Sequence, residues 1–201
     1  MGQYYKPSIL KKNWRTANNA VKVTLSSYDF DNGAKLMEHS YVGNEFVGAV
    51  CNLLSRPEYF GLPFVWSGDY ADAAPTRTGM HQIYEDALGY IYGKHDKKTK
   101  AYSALLKTIP SYEEMEKEGF GGYIVNLTKK EYVKIPNKTK GKLTVHPLPL
   151  LTADGNGLGG GDYRIEDERV GSWKFDKIGV TKDIKPYKDF KEVYGFFELD
   201  Y

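Results

Sequence analysis

Apolar and polar residues alternate with a period near two over Val21–Phe30 (VKVTLSSYDF), as they do in a strand buried on one face. Asp31, Asn32 and Gly33 tolerate positive φ, and Ala34–His39 (AKLMEH) takes the pattern up again, so this stretch is expected to be a β-hairpin. The period then changes. Phe46, Val47, Val50, Cys51 and Leu54 fall at the i, i+3, i+4, i+7, i+8 spacing of one helical face. Asn44 is placed to cap that helix and Arg56-Pro57 to end it. Phe64–Tyr70 (FVWSGDY) reads as a short strand in which Gly68 permits a bulge or a close approach.

From Ala71 to about Glu118 the pattern weakens into short helical stretches, Met80–Leu88, Lys100–Leu106 and Ser111–Lys117, the last with a capping box between Ser111 and Glu114. His95–Lys100 (HDKKTK) is expected to be a solvated loop or helix start. Gly122–Ile135 forms a hairpin pattern around the polar Leu127–Lys130 connection. Lys142–Leu151 reads as an extended edge segment because Pro147 and Pro149 suit an edge better than a central strand. Val170–Val180 and Val193–Leu199 are expected to be closing strands, and 141–161 a long ordered loop between apolar runs. These elements predict an α+β fold, a mainly antiparallel, hairpin-rich sheet with a few short helices, in a single domain spanning 1–201 without a tandem repeat.

Composition narrows the function classes. Twenty-eight basic against 26 acidic residues give a net charge of +2, too small a field to draw in nucleic acid or a membrane surface. No sequence-specific nucleic-acid partner is expected. No stretch approaches the roughly 18 apolar residues of a membrane helix, and MGQYYKPSILKKNW lacks the apolar core of a secretory signal, so a cytoplasmic location without membrane contact is expected. Lys6 and Pro7 fit a myristoylation pattern poorly, and the triplets at Asn126 and Asn137 carry no meaning in the cytosol. The lone cysteine, Cys51, lies in the apolar pattern of its helix and reads as a small core residue rather than a nucleophile. Tyrosine is unusually frequent, with 17 residues; its rings suit strands, and also a surface that stacks on bases or sugars.

The strongest local feature is HPLPLLTADGNGLGGGDYR at 146–164, with glycines at 155, 157, 159, 160 and 161. Consecutive amides of such a loop can form a nest for a phosphate or carboxylate, and Arg164 can add bidentate contacts. Asp154, Asn156, Gly159, Gly160, Asp162 and Arg164 are therefore the expected ligand-binding residues of the loop. The loop is neither a P-loop nor a GxGxxG turn, and an EF-hand counted from Asp154 would place Ile165 where a glutamate is required. A second group, Trp66, Asp69 and Tyr70, ends the strand before Asp72 and offers carboxylates to ligand hydroxyls and rings for stacking. His39, beside Glu38, and His146 are the candidate catalytic groups, as acid, base or ligand. No HExxH, GxSxG or zinc-cluster spacing is present, so no metal site or cofactor is assigned.

The segments MGQYYK at 1–6, GAKLMEHSYVGNEFV at 33–47, WSGDYAD at 66–72, YIVNLTKKEYV at 123–133 and HPLPLLTADGNGLGGGDYR at 146–164 together resemble a family of gut-bacterial and phage proteins. The family brings no activity, catalytic residue or cofactor to carry over. The resemblance implies one domain, an intracellular setting and a counter-defence or other host-directed role. The leading expectation is a small-ligand-binding protein that sequesters a nucleotide-like anion. The alternatives are a phosphodiester or phosphoryl hydrolase using His39, His146, Asp69 and Asp162, either with a divalent metal or by acid–base catalysis, and a protein-interaction module that inhibits a host protein.

Overall fold

The computed structural model describes residues 3–72, 74–76, 79–94, 97–138, 143–155 and 168–193. It is a mixed α+β structure built on an eight-stranded, mostly antiparallel sheet with six short helices. Strand β1 (Tyr5–Leu10) is buried at all six positions and pairs antiparallel with β2 (Val21–Thr24), with Ser8 opposite Thr24 and a bulge at Ile9/Leu10. Its pattern, YKPSIL, places a lysine, a proline and a serine among the apolar residues, which hides a central strand from a reading based on hydropathy.

The expected hairpin over Val21–His39 is corrected. The strand stops at Thr24, Ser27–Phe30 is a 3-10 turn, Asp31 takes a left-handed φ of 49°, and α1 (Leu36–His39) is one helical turn. Leu36 and His39, three apart, are both buried, while the Glu38 carboxylate accepts the Lys35 amide at 2.9 Å. A side chain at Gly33 would collide with Glu38. These local bonds favour a turn of helix over an extended segment, and β2 already has β1 as its partner.

Helix α2 (Glu45–Ser55) follows the sequence pattern closely, with the Asn44 side chain accepting the Val47 amide at 3.1 Å and Phe46, Val47, Val50, Leu53 and Leu54 buried. Next comes β3 (Leu62–Gly68), buried throughout. One edge of β3 is covered by β1, from Tyr5 opposite Gly68 to Ile9 opposite Phe64. A separate small hairpin, β4 (Ala74–Thr76) and β5 (Gly79–His81), precedes α3 (Ile83–Tyr92), so the helix starts and ends later than Met80–Leu88. Helices α4 (Lys100–Leu106) and α5 (Tyr112–Glu118) match the expected stretches, each capped at its first turn, by Thr99 and by the Ser111/Glu114 box.

The hairpin of β6 (Gly122–Asn126) and β7 (Glu131–Ile135) is as read from the sequence. The edge strand expected over Lys142–Leu151 is corrected: 141–142 lie outside the described residues, and α6 (Pro147–Leu151) is a helical turn. Both prolines sit in its first turn, where a missing N–H leaves no helical bond unmade. A two-residue strand, β8 (Ala153–Asp154), follows. Residues 168–176 form turns, so the expected strand over Val170–Val180 shortens to β9 (Lys177–Thr181). Strand β10 (Lys191–Glu192) lies parallel to β7, and the expected strand at Val193–Leu199 falls outside the described residues from 194 onward.

The second edge of β3 is shared. Leu62 and Pro63 pair with β9, which continues to β6, while Trp66 and Ser67 pair in parallel with β8. Helices cover both faces near this strand. Phe46, Val47, Val50 and Leu53 of α2 belong to the main core with Ile9, Phe64 and Trp66. On the other face Ile83 and Ala87 of α3 pack with Leu10, Trp14, Val21 and Val65. No helix among the described residues is long and apolar enough to cross a membrane.

Candidate functional site

The parallel pairing of β3 with β8 brings the WSGDYAD and HPLPLLTAD segments side by side, with Ser67 opposite Asp154. Their side chains nevertheless go to different places. Trp66 has no exposed surface, and its indole N–H donates to His39 Nε2 at 3.0 Å. The expectation that Trp66 stacks on a ligand is therefore corrected: its ring stacks on His39 at 5.4 Å and meets Phe46 edge-on. Tyr70 remains 41% exposed at the surface. One Asp69 carboxylate oxygen accepts the Tyr4 amide at 3.0 Å, and the Asp154 carboxylate accepts from Lys174 Nζ at 2.9 Å. Gly155, which begins the glycine-rich segment, faces Gln3 and the Tyr5 hydroxyl so closely that a Cβ there would overlap both. Asn156, Gly159, Gly160, Asp162 and Arg164 lie outside the described residues.

Both candidate histidines are interior groups. His39 Nδ1–H donates to the Gly33 carbonyl at 3.0 Å while Nε2 accepts from Trp66, so one tautomer satisfies both bonds. Burial lowers its pKa to about 4, against weaker upward pulls from the Gly33 carbonyl and Glu38. With both nitrogens engaged in the core, His39 has none to offer to a substrate proton.

His146 caps α6. Its Nδ1 accepts the Leu148 amide at 3.3 Å, and its Nε2 lies 3.6 Å from Cys51 Sγ on α2. Neutral imidazole has one protonated nitrogen, so with Nδ1 accepting, the proton resides on Nε2 and points at the sulfur. Burial pushes the His146 pKa down to about 3 and the Cys51 thiol up to about 12. The pair thus resembles a Cys–His nucleophilic dyad in composition but not in chemistry. A base must present an unprotonated nitrogen to the thiol, and here that nitrogen faces an amide donor instead. The same tautomer opposes metal binding, because a ligating histidine needs its other ring N–H to meet an acceptor. No group of three or more His, Cys, Asp or Glu among the described residues is placed to hold a metal ion. Cys51 is expected to react with a disulfide reagent at pH 8 slower than an exposed cysteine by on the order of a thousandfold, from its smaller thiolate fraction. Absorbance of the released thiol measures this, and a rate near that of free cysteine would contradict the neutral pair.

The pair lies on the wall of an open cleft, with about 630 Å³ of space including the solvent at its mouth, formed between α2, the end of α5 and the end of β9. Met115, Phe120, Ile135 and Val180 supply apolar walls, and Asn52 and Ser55 supply polar groups along α2. Gly48 lets the walls close: a Cβ there would stand 3.0 Å from the Phe120 ring and 3.3 Å from the Met115 sulfur. Lys182 Nζ reaches the Glu118 carboxylate at 3.4 Å and its carbonyl at 3.2 Å, so these two lining charges are balanced. Sequence reading singled out Cys51 and His146 separately. Nothing in their spacing, 95 residues, signals that they meet.

Compared with protein-family models, with curated proteins and with solved structures, the chain gives no match.

Proposed function

We propose that the protein is a small-molecule-binding protein whose ligand occupies the cleft between α2, α5 and β9. The observation that carries this reading is the meeting, in one cleft, of apolar walls with two side chains held in uncharged forms, His146 and Cys51. Apolar walls with a few convergent polar groups are the usual form of a small-ligand site. Its charges are paired, so it favours a neutral, flat ligand: the base or nucleoside part of a nucleotide-like molecule rather than its phosphates. Phe120 and Met115 offer surfaces for a ring. Asn52 Oδ1 is held by Arg56 at 2.7 and 3.1 Å, which leaves the amide N–H groups as the donors this side chain offers a ligand. The tautomer of His146 leaves the Cys51 thiol without a base, which supports a reading of ligand binding and sequestration over nucleophilic turnover at this pair.

Calorimetric titration with a panel of nucleobases, nucleosides and nucleotides tests this. Saturable binding is expected for neutral members, and Cys51→Leu, which fills the wall while keeping a good helix former, should weaken it at least about tenfold. If no member binds monodisperse protein, or if the variant binds as tightly as the parent, the cleft is not the site.

A further inference from the structure

On the sheet face covered by α3, the strand register gathers polar side chains where the surroundings are apolar. Lys6 on β1 is paired with Ser67 on β3, and Ser8 with both Val65 on β3 and Thr24 on β2. Paired residues share a face, and so do residues two apart, so Lys6, Ser8, Ser67 and Thr24 are neighbours. Lys6 is only 4% exposed, Ser67 2% and Ser8 not at all. Among the described residues the Lys6 ammonium has no ion-pair or hydrogen-bond partner; it lies 5.3 Å from the centre of the Tyr84 ring in the first turn of α3. The hydroxyls of Ser8 and of Ser26, two residues past Thr24, are buried without a partner as well.

Two carboxylates act on Lys6 from a distance. Asp29 is already held by Lys98 and by the Tyr102 hydroxyl at 2.6 Å, and Asp69 accepts the Tyr4 amide. Their fields raise the Lys6 pKa, but burial lowers it by more. In the first turn of α3, Asp86 accepts the Ala20 amide, Glu85 is exposed, and the Gln82 side chain makes no capping bond. A buried ammonium without a counter-charge is unfavourable, and so is a buried hydroxyl without a partner. An ammonium and hydroxyls carried side by side on one sheet face are complementary to a group of acceptor oxygens bearing negative charge.

We propose that Lys6, with Ser8 and Ser67, forms a second site, distinct from the cleft, that binds a small oxyanion: the carboxylate or phosphate head of a ligand. Thermal melting at constant ionic strength, with chloride exchanged for phosphate or for acetate, tests it in the full-length chain. A saturable rise of about 5 °C or more is expected with one of these anions, and which of them acts tells phosphate from carboxylate. Lys6→Met should abolish the rise, and in chloride it should melt no lower than the parent, because an apolar chain replaces an unpaired charge. Cys51→Leu should keep the full response, which separates this site from the cleft. Nitrogen-15 resonances of the lysine ammonium groups give a second readout in the parent protein, independent of whether any variant folds. The Lys6 signal should shift, and its pKa rise, as the anion binds. Equal melting responses in parent and Lys6→Met, or a Lys6 signal unmoved by either anion, would overturn the proposal.

Discussion

His39→Ala is expected to destabilise the fold by about 3–5 kcal/mol, a large share of the roughly 5–15 kcal/mol by which domains are stable. The change acts in three ways. It leaves the Trp66 indole N–H without its acceptor and the Gly33 carbonyl without its donor, each worth about 1–3 kcal/mol when buried. It also opens a cavity between Trp66 and Phe46, both fully buried and both in ring contact with His39. For a chain of this length the melting temperature should fall by roughly 10 °C. His39→Gln, whose amide both donates and accepts, should recover part of the loss. Urea unfolding followed by tryptophan fluorescence measures both variants. A loss under about 1 kcal/mol for His39→Ala would mean that the Gly33–His39–Trp66 chain is not a stabilising element.

Mild acid is expected to destabilise the protein for a related reason. In the native state His39 titrates at about 4 and His146 at about 3, against 6.5 for an ordinary histidine, both because of burial. Below pH 6.5 the unfolded chain therefore binds protons that the folded one does not, and stability falls with pH until the native groups protonate in turn. At pH 5 each histidine should have removed about 2 kcal/mol relative to neutral pH. Asp176 and Glu45, whose pKa values are raised by burial, act in the opposite sense as they protonate, and both are less enclosed. The urea midpoint at pH 5 should thus lie well below that at pH 7.5. In His146→Asn, which keeps an α6 cap, the difference should shrink by close to half. A midpoint unchanged between the two pH values would show that these histidines are protonated in the native state.

The parts of the fold that could be read from sequence are those whose interactions are local. Asn44 with Val47, Ser111 with Glu114, and the β6–β7 hairpin are each settled within a few residues, and all three stand where the pattern placed them. The misread segments depend on distant partners. Strand β1 is central because β2 and β3 both pair with it, which no feature of YKPSIL announces. Pro147 and Pro149 argued against a central strand, correctly, but equally admit a first helical turn, and His146 as cap decides for the latter. For the candidate site, Trp66 and Tyr70 look alike as aromatic residues at a strand end. One is sealed against His39 of the distant α1 turn and the other faces solvent. Lys6 entered the sequence reading only as a poor fit to a myristoylation pattern, because its burial depends on β2, β3 and α3, all distant in the chain.

The shared edge of β3 also bears on how the chain is made. During synthesis β3 and its β1 partner leave the ribosome long before residues 153–154 and 177–178, which complete its other edge. For that interval an apolar strand with unpaired backbone groups stands open to other chains. The nascent protein is thus most vulnerable to aggregation after α2 has folded and before β9 arrives. A truncation ending within the β6–β7 hairpin should consequently demand more chaperone assistance than the full-length chain, even though most of its main core residues have already been synthesised.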